Sequence, residues 1–124
     1  MDKVRRIVID LEMNPVCREL KDIRANLPRE IIEIGANMID GHNGIIGEFH
    51  CFVKPDFNGS IAPFITRLTG IRYCDVTFAV SLKEALNELE SWIGYDYETS
   101  IYSWSNADFQ QITKECEYKG IRIP

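Results

Sequence analysis

The chain has 124 residues, of which 45% are hydrophobic and 27% are charged, and 14 Lys and Arg against 19 Asp and Glu give a net charge of −5. This length and composition predict one globular domain, 1–124, with a hydrophobic core of its own. They exclude a membrane span of roughly 20 apolar residues, a secretory signal and a nucleic-acid binder with a broad basic surface, so we expect a cytoplasmic protein.

The first half of the chain predicts three β-strands. Residues 5–11 are apolar and β-branched at their centre and suit a strand that is buried on both faces. Residues 14–29 contain two prolines and predict a long loop. Residues 30–40 and 45–54 suit two further strands, and the Gly-His-Asn-Gly turn at 41–44 predicts that these two form an antiparallel hairpin.

The next segment predicts loops followed by one helix. Residues 56–80 suit loops with a short helix near 62–67. The sequence Ser-Leu-Lys-Glu at 81–84 is a capping-box pattern, and it marks the start of a helix. Because the apolar residues behind it recur at the spacing of one helix face, the pattern predicts a helix over 82–93.

The last part predicts a strand over 99–104, a helix from Ser105 or Asn106 to about Lys119, and the entry to another strand at 120–124. Three strands, a helix, a strand and a helix are the order of a mixed α/β domain. The side chains expected to be buried in this part are Trp104, Phe109, Ile112 and Cys116.

Two carboxylates stand together at the end of the first predicted strand. Asp10 and Glu12 are two residues apart, which puts both side chains on the same face of a strand. Like charges at this distance repel unless a cation lies between them, and Mg²⁺ and Mn²⁺ favour carboxylate ligands. Taken alone, such a pair is more often two solvated acids at a strand end.

A third acid, Asp108, follows the fourth predicted strand and falls in the first turn of the helix after it. The alternative to a functional role is a structural one, since an aspartate at this position complements the positive end of the helix dipole.

Five segments in order resemble the motifs of the DEDDh 3′→5′ exonucleases, which include RNase T-like enzymes and polymerase proofreading subunits. They are Ile-Val-Ile-Asp-Leu-Glu at 7–12, Ile-Ile-Glu-Ile-Gly-Ala at 31–36, Phe-Val-Lys-Pro at 52–55, Leu-Thr-Gly-Ile at 68–71 and Trp-Ser-Asn-Ala-Asp at 104–108. The resemblance covers essentially the whole chain and implies a ribonuclease H-like fold with a mixed sheet.

The resemblance also implies a two-metal-ion hydrolysis of the terminal phosphodiester. In this chain Asp10 would bridge two Mg²⁺ or Mn²⁺ ions, Glu12 would bind the ion that holds the attacking water, and Asp108 would support the second ion.

The same resemblance implies a substrate site for the 3′ end of single-stranded RNA or DNA. The backbone around Met13 would receive the terminal 3′-hydroxyl, and Leu68 and Thr69 would pack on the last nucleotide. The choice between RNA and DNA depends on contacts to the 2′-hydroxyl, which no residue here predicts.

The family's third motif, a histidine with an aspartate five residues later, is missing from this sequence. No His or Asp follows Asp108, and His42 and His50 are expected to be ordinary hairpin residues. Glu30 and Glu33 are expected to be solvated. The sequence therefore resembles the N-terminal portion of such an exonuclease, truncated before the third motif and expected to be inactive or impaired in this form.

Two other interpretations of the sequence remain open. The chain could be a catalytically incompetent remnant that only binds metal or nucleic acid weakly, or an α/β interaction domain whose acids are structural. In a truncated domain we also expect apolar surface that is covered by association into a homo-oligomer.

Overall fold

A four-stranded mixed sheet organises the residues that the computed structural model describes, 4–95 and 98–124. The strand order is β3-β2-β1-β4, in which β1 is antiparallel to β2, β2 is antiparallel to β3, and β1 is parallel to β4. The strands are β1 at Val4–Pro15, β2 at Arg29–Ile39, β3 at Ile45–Phe52 and β4 at Glu98–Ser103.

Within the described residues, five helices connect and cover the strands of this sheet. They are α1 at Lys21–Asn26, α2 at Pro63–Thr69, α3 at Tyr73–Val76, α4 at Leu82–Ile93 and α5 at Asn106–Lys119. The predicted mixed α/β order is confirmed, and so is the antiparallel hairpin of β2 and β3. None of the described helices is long and apolar enough to cross a bilayer.

The main core lies on one face of the sheet, between the strands β1 and β2 and the helices α4 and α5. Ile7, Ile9 and Leu11 alternate along β1 and point into this core. The apolar stripe of α4 packs on them, as the spacing in its sequence predicts, and Ser81 caps the helix by accepting a hydrogen bond from the backbone N–H of Glu84. The alternation leaves Val8, Asp10 and Glu12 on the opposite face, which these helices do not cover.

The segment 14–29, predicted as a loop, is partly regular structure. β1 continues to Pro15, because its last residues pair with Arg29 and Glu30 of β2 after a register shift between Glu12 and Met13. A short helix, α1, follows at Lys21–Asn26, and no side chain of this helix is buried. The loop prediction was therefore wrong for these two stretches.

Three expectations near the C-terminus were also wrong. Trp104 is 86% exposed. It lies in the bend just after β4, where side chains no longer alternate between the two faces of the sheet. Phe109 is 36% exposed, and residues 120–124 form no strand in the structure. The expected burial of Ile112 and Cys116 in α5 is confirmed, and the buried face of this helix also contains three polar residues, Asp108, Gln111 and Glu115.

Candidate active site

The open face of β1 carries the two acids that the sequence singled out. Asp10 is exposed there, and its partner across the antiparallel pair is Gly35, which presents no side chain opposite it. Glu12 lies two residues further and is directly opposite Glu33 of β2. Three carboxylates therefore share one face of the sheet within two neighbouring strands.

The third predicted acid, Asp108, reaches this place through the parallel pairing of β1 with β4. Ile9 is in register with Ser103, so that the end of β4 lies beside Asp10. The hydroxyl of Ser103 donates a hydrogen bond of 2.6 Å to Oδ2 of Asp108. Ser105 caps α5 by accepting from the backbone N–H of Ala107, which fixes the turn between Ser103 and Asp108. Asp108 is 8% exposed and lies at the helix start, where a negative charge is stabilised.

The acids act on one another electrostatically. Burial raises the pKa of Asp10, and the charges of Asp108 and Glu33 raise it further. Burial likewise raises the pKa of Glu12, with additional repulsion from Asp10, Glu33 and Asp108. The free energy of ionising each of these carboxyl groups is therefore higher here than in water, and a bound cation would lower it.

Glu33 and His50 were not expected at this site. Glu33 is only 24% exposed at its side chain, and its Oε2 lies 2.7 Å from Nε2 of His50. His50 is a residue of the β2–β3 hairpin, as predicted, and its ring packs edge-on against Phe52 with 4.7 Å between ring centroids. Only the register of β1, β2 and β3 brings this pair beside Glu12, and no local sequence pattern carries that information.

Glu30 is a different case. It was expected to be solvated, but its side chain is fully buried and forms an ion pair with Lys119 at 2.9 Å. Its partner lies far away in the sequence, which explains why the sequence did not predict the burial. Glu30 therefore has a structural role in this buried ion pair and does not belong to the open acidic face.

The donor set of the acidic face suits a hard divalent cation such as Mg²⁺ or Mn²⁺, because every candidate ligand is a carboxylate oxygen. Within 4–95 and 98–124, however, no three His, Cys, Asp or Glu side chains converge closely enough to form a ready ligand cluster.

The three predicted substrate residues have different surroundings. The side chain of Met13 is partly buried against the main core, and its backbone is in register with Ile31 of β2. Leu68 is 79% exposed on α2. The hydroxyl of Thr69 donates to the Ile65 carbonyl at 2.8 Å and accepts from the Ile71 N–H at 3.1 Å, so it is used to end this helix. Their contact with a nucleotide stays a prediction.

Comparison with known families and proteins agrees with this arrangement. The family model RNase_T, described as exonuclease, matches residues 7–121. ERI1 exoribonuclease 2 of Xenopus laevis is 35% identical over 88 residues, which cover 64% of this chain and 13% of that protein. ERI1 exoribonuclease 3 of Homo sapiens is 34% identical over 104 residues, or 77% of this chain and 31% of that protein. The chain thus spans less than a third of the length of either relative.

Solved structures share the fold. The nuclease domain of 3′hExo, a DEDDh family member bound to rAMP, superposes with a TM-score of 0.81 and 24% identity over 97% of this chain and 62% of that one. The cell-death related nuclease 4 (CRN-4) gives a TM-score of 0.78 with 17% identity over 100% of this chain and 44% of that one. The predicted ribonuclease H-like fold is confirmed by these likenesses.

Proposed function

The chain belongs to the exonuclease family that the RNase_T model describes, and we propose that it hydrolyses single-stranded RNA or DNA from the 3′ end with divalent cations. The observation that carries the proposal is the placement of Asp10 and Glu12 on one face of β1, beside the end of β4 where Ser103 holds Asp108 of α5. Three carboxylates brought together by distant parts of the chain are the ligand type that a hard divalent cation prefers.

In this proposal Asp10, Glu12 and Asp108 hold the ions. Two Mg²⁺ or Mn²⁺ ions would supply charge stabilisation for the attacking and leaving oxygens at the terminal phosphodiester. The hydrogen bond from Ser103 orients Asp108 before anything binds, which lowers the cost of ordering the site. Gly35 leaves room over Asp10 for the substrate.

RNA is the proposed better substrate. The relatives from Xenopus laevis and Homo sapiens, with about a third identity, carry the name exoribonuclease, and the related structure of 3′hExo is bound to rAMP. Structural neighbours with lower identity include exonuclease I of E. coli in complex with the oligonucleotide dT13, so DNA is the natural comparison substrate.

A second candidate function is weak binding of metal or nucleic acid without hydrolysis. It is favoured by the surroundings of Asp108, which is 8% exposed and already accepts a hydrogen bond from Ser103 at Oδ2. A carboxylate that is buried and hydrogen-bonded has fewer lone pairs to offer a cation, and a site with fewer available oxygens holds a divalent cation more weakly. We therefore keep weak binding without hydrolysis as the second candidate.

The deciding experiment is a gel assay with 5′-labelled single-stranded RNA and DNA in Mn²⁺, with EDTA and Asp10→Ala as negative controls. A ladder that shortens from the 3′ end, is lost in both controls and persists in Glu117→Ala supports the exonuclease. Glu117 is an exposed acid of α5 outside the acidic face. A folded protein that Mn²⁺ stabilises, but that releases no product, supports the second candidate.

A further inference from the structure

A hollow of about 400 Å³ lies beyond the end of β1, outside the acidic face. Two segments form its walls, one running from the end of β1 into α1 and the other from the loop after β3 into α2. We call it the arginine hollow, and the residues that matter here are Asn14, Cys17, Arg18, Arg24, Asn58 and Phe64.

The two walls are tied together by asparagine side chains. Asn14 is 1% exposed, its Oδ1 accepts from the Ala62 N–H at 2.9 Å, and its Nδ2 donates to the Ser60 carbonyl at 3.2 Å. Asn58 accepts from the backbone N–H of Cys17 at 2.7 Å. Because these bonds join segments more than 40 residues apart in sequence, the hollow is formed before any ligand arrives.

The rim of the hollow carries two arginine side chains that have no partner among the described residues. Arg18 and Arg24 are exposed, and neither guanidinium forms an ion pair or hydrogen bond with any residue that the structure describes. In a chain of net charge −5, two free guanidinium groups on one hollow form a local positive site. The planar guanidinium is suited to bidentate contact with phosphate.

An aromatic ring completes the rim. Phe64 is 52% exposed, and it lies one helical turn before Leu68 on the same side of α2. Exposed aromatic rings bind single-stranded nucleic acids by stacking on bases, whatever the sequence. The hollow therefore combines cationic groups, which can bind a phosphate, with an aromatic ring, which can stack on a base.

We propose that the arginine hollow binds the part of the strand that precedes the 3′-terminal nucleotide, with Phe64 stacking on a base and Arg18 and Arg24 contacting phosphates. The inference rests on the proposed function, which puts the terminal nucleotide near Glu12 and Leu68. Asn14 lies two residues beyond Glu12, about 7 Å along the strand. A nucleic-acid strand that extends from the terminal position past Leu68 would therefore reach Phe64 next.

The test is binding without hydrolysis. Fluorescence anisotropy of 5′-labelled 12-nucleotide RNA and DNA is measured in EDTA at several salt concentrations. We expect the double variant Arg18→Ala/Arg24→Ala to bind roughly tenfold more weakly at low salt, with the slope of log K against log salt smaller by about 0.7 for each lost phosphate contact. Phe64→Ala should bind roughly tenfold more weakly with an unchanged slope, and Phe64→Tyr should keep the affinity.

Lys83→Ala and Lys114→Ala are the matched controls, because both remove exposed cations from helices away from the hollow. Melting temperatures of all variants confirm that they are folded. Arginine variants that bind with the affinity and salt slope of the unchanged chain, or an unchanged chain that binds neither strand, would overturn the proposal. The binding test does not depend on cleavage. If the gel assay shows no hydrolysis but binding still depends on Arg18 and Arg24, the proposed hydrolysis is wrong and the proposed binding in the arginine hollow is supported.

Discussion

Asp10 and Glu12 make the metal-free protein sensitive to pH. Their pKa values in the folded chain are raised above the ordinary values of 3.8 and 4.5, chiefly by burial and then by neighbouring carboxylates. A raised carboxyl pKa means that the folded state binds protons more tightly than the unfolded state. The stability of the metal-free chain should therefore fall as pH rises from the ordinary pKa values through the raised ones.

Asp10→Asn should accordingly stabilise the protein in EDTA at pH 7, because the amide removes one of the repelling charges. Asp10 is only partly buried, so solvent screening limits the gain to a rise in melting temperature of about 1–3 °C. Differential scanning fluorimetry measures it, with Glu117→Gln as control. Mn²⁺ should raise the melting temperature of the unchanged chain by more than that of Asp10→Asn. Equal shifts would contradict a role of Asp10 in cation binding.

Glu33→Gln should lower the pKa of both Asp10 and Glu12, since Glu33 contributes repulsion to each of them. Carbon-detected NMR titration of the carboxyl groups follows the two residues separately. The variant keeps the shape of the side chain and an oxygen that can accept from His50. If neither titration moved relative to Glu117→Gln, Glu33 would not belong to the acidic face.

At the scale of elements, a buried ionic cluster attaches α5 to β2. Nζ of Lys119 lies 2.9 Å from Glu30, 2.7 Å from Glu115 and 2.8 Å from Asp56. Glu115 also accepts from the backbone N–H of Ile31 at 2.8 Å. Because α5 begins at the turn that holds Asp108, this cluster fixes the far end of the helix that carries one of the candidate ligands.

Lys119→Met should destabilise the protein by about 3–5 kcal/mol, because it leaves buried carboxylates without their cation. Burial already raises the pKa of Glu115 although Lys119 opposes it, and without Lys119 the pKa should rise further. The variant should therefore regain part of its stability as pH falls. Urea unfolding at pH 5 and pH 8 measures both effects, and Lys114→Met, at an exposed position of the same helix, should change little.

The elements also show what the sequence could and could not predict. Helix α4 was predicted with its correct bounds because its buried face is a continuous apolar stripe. The buried face of α5 was predicted only in part, because three of its five buried residues are polar, and α1 was missed because it buries no side chain and so leaves no periodic signal. Asp10, Glu12 and Asp108 came from local motifs, whereas Glu33 and His50 depend on strand register.

At the scale of the whole molecule, β4 is an edge strand with apolar side chains on its surface. Its outer side pairs with no other strand among the described residues. Ile101 is 44% exposed, Tyr102 is 51% exposed, and Trp104 follows at 86%. An open strand edge with exposed apolar side chains favours pairing with another chain.

We therefore expect a dimer that forms with increasing concentration, and Ile101→Lys should return it to the monomer. Size-exclusion chromatography with light scattering measures the mass over a hundredfold range of concentration. Thr113→Lys, which adds the same charge on an exposed position of α5, is the control. A monomeric mass throughout the range would contradict this expectation.

The parallel pairing of β1 with β4 has a consequence for how the protein acquires its acidic face. The hairpin contacts of β1, β2 and β3 join neighbouring stretches, whereas Asp10 and Asp108 are far apart in the sequence and come together through the pairing of β1 with β4. Contacts between distant stretches form late, because closing the intervening loop costs entropy first. During synthesis Asp10 and Asp108 would thus stay on separate parts of the chain until β4 pairs with β1, so that the acidic face forms as a late step of folding.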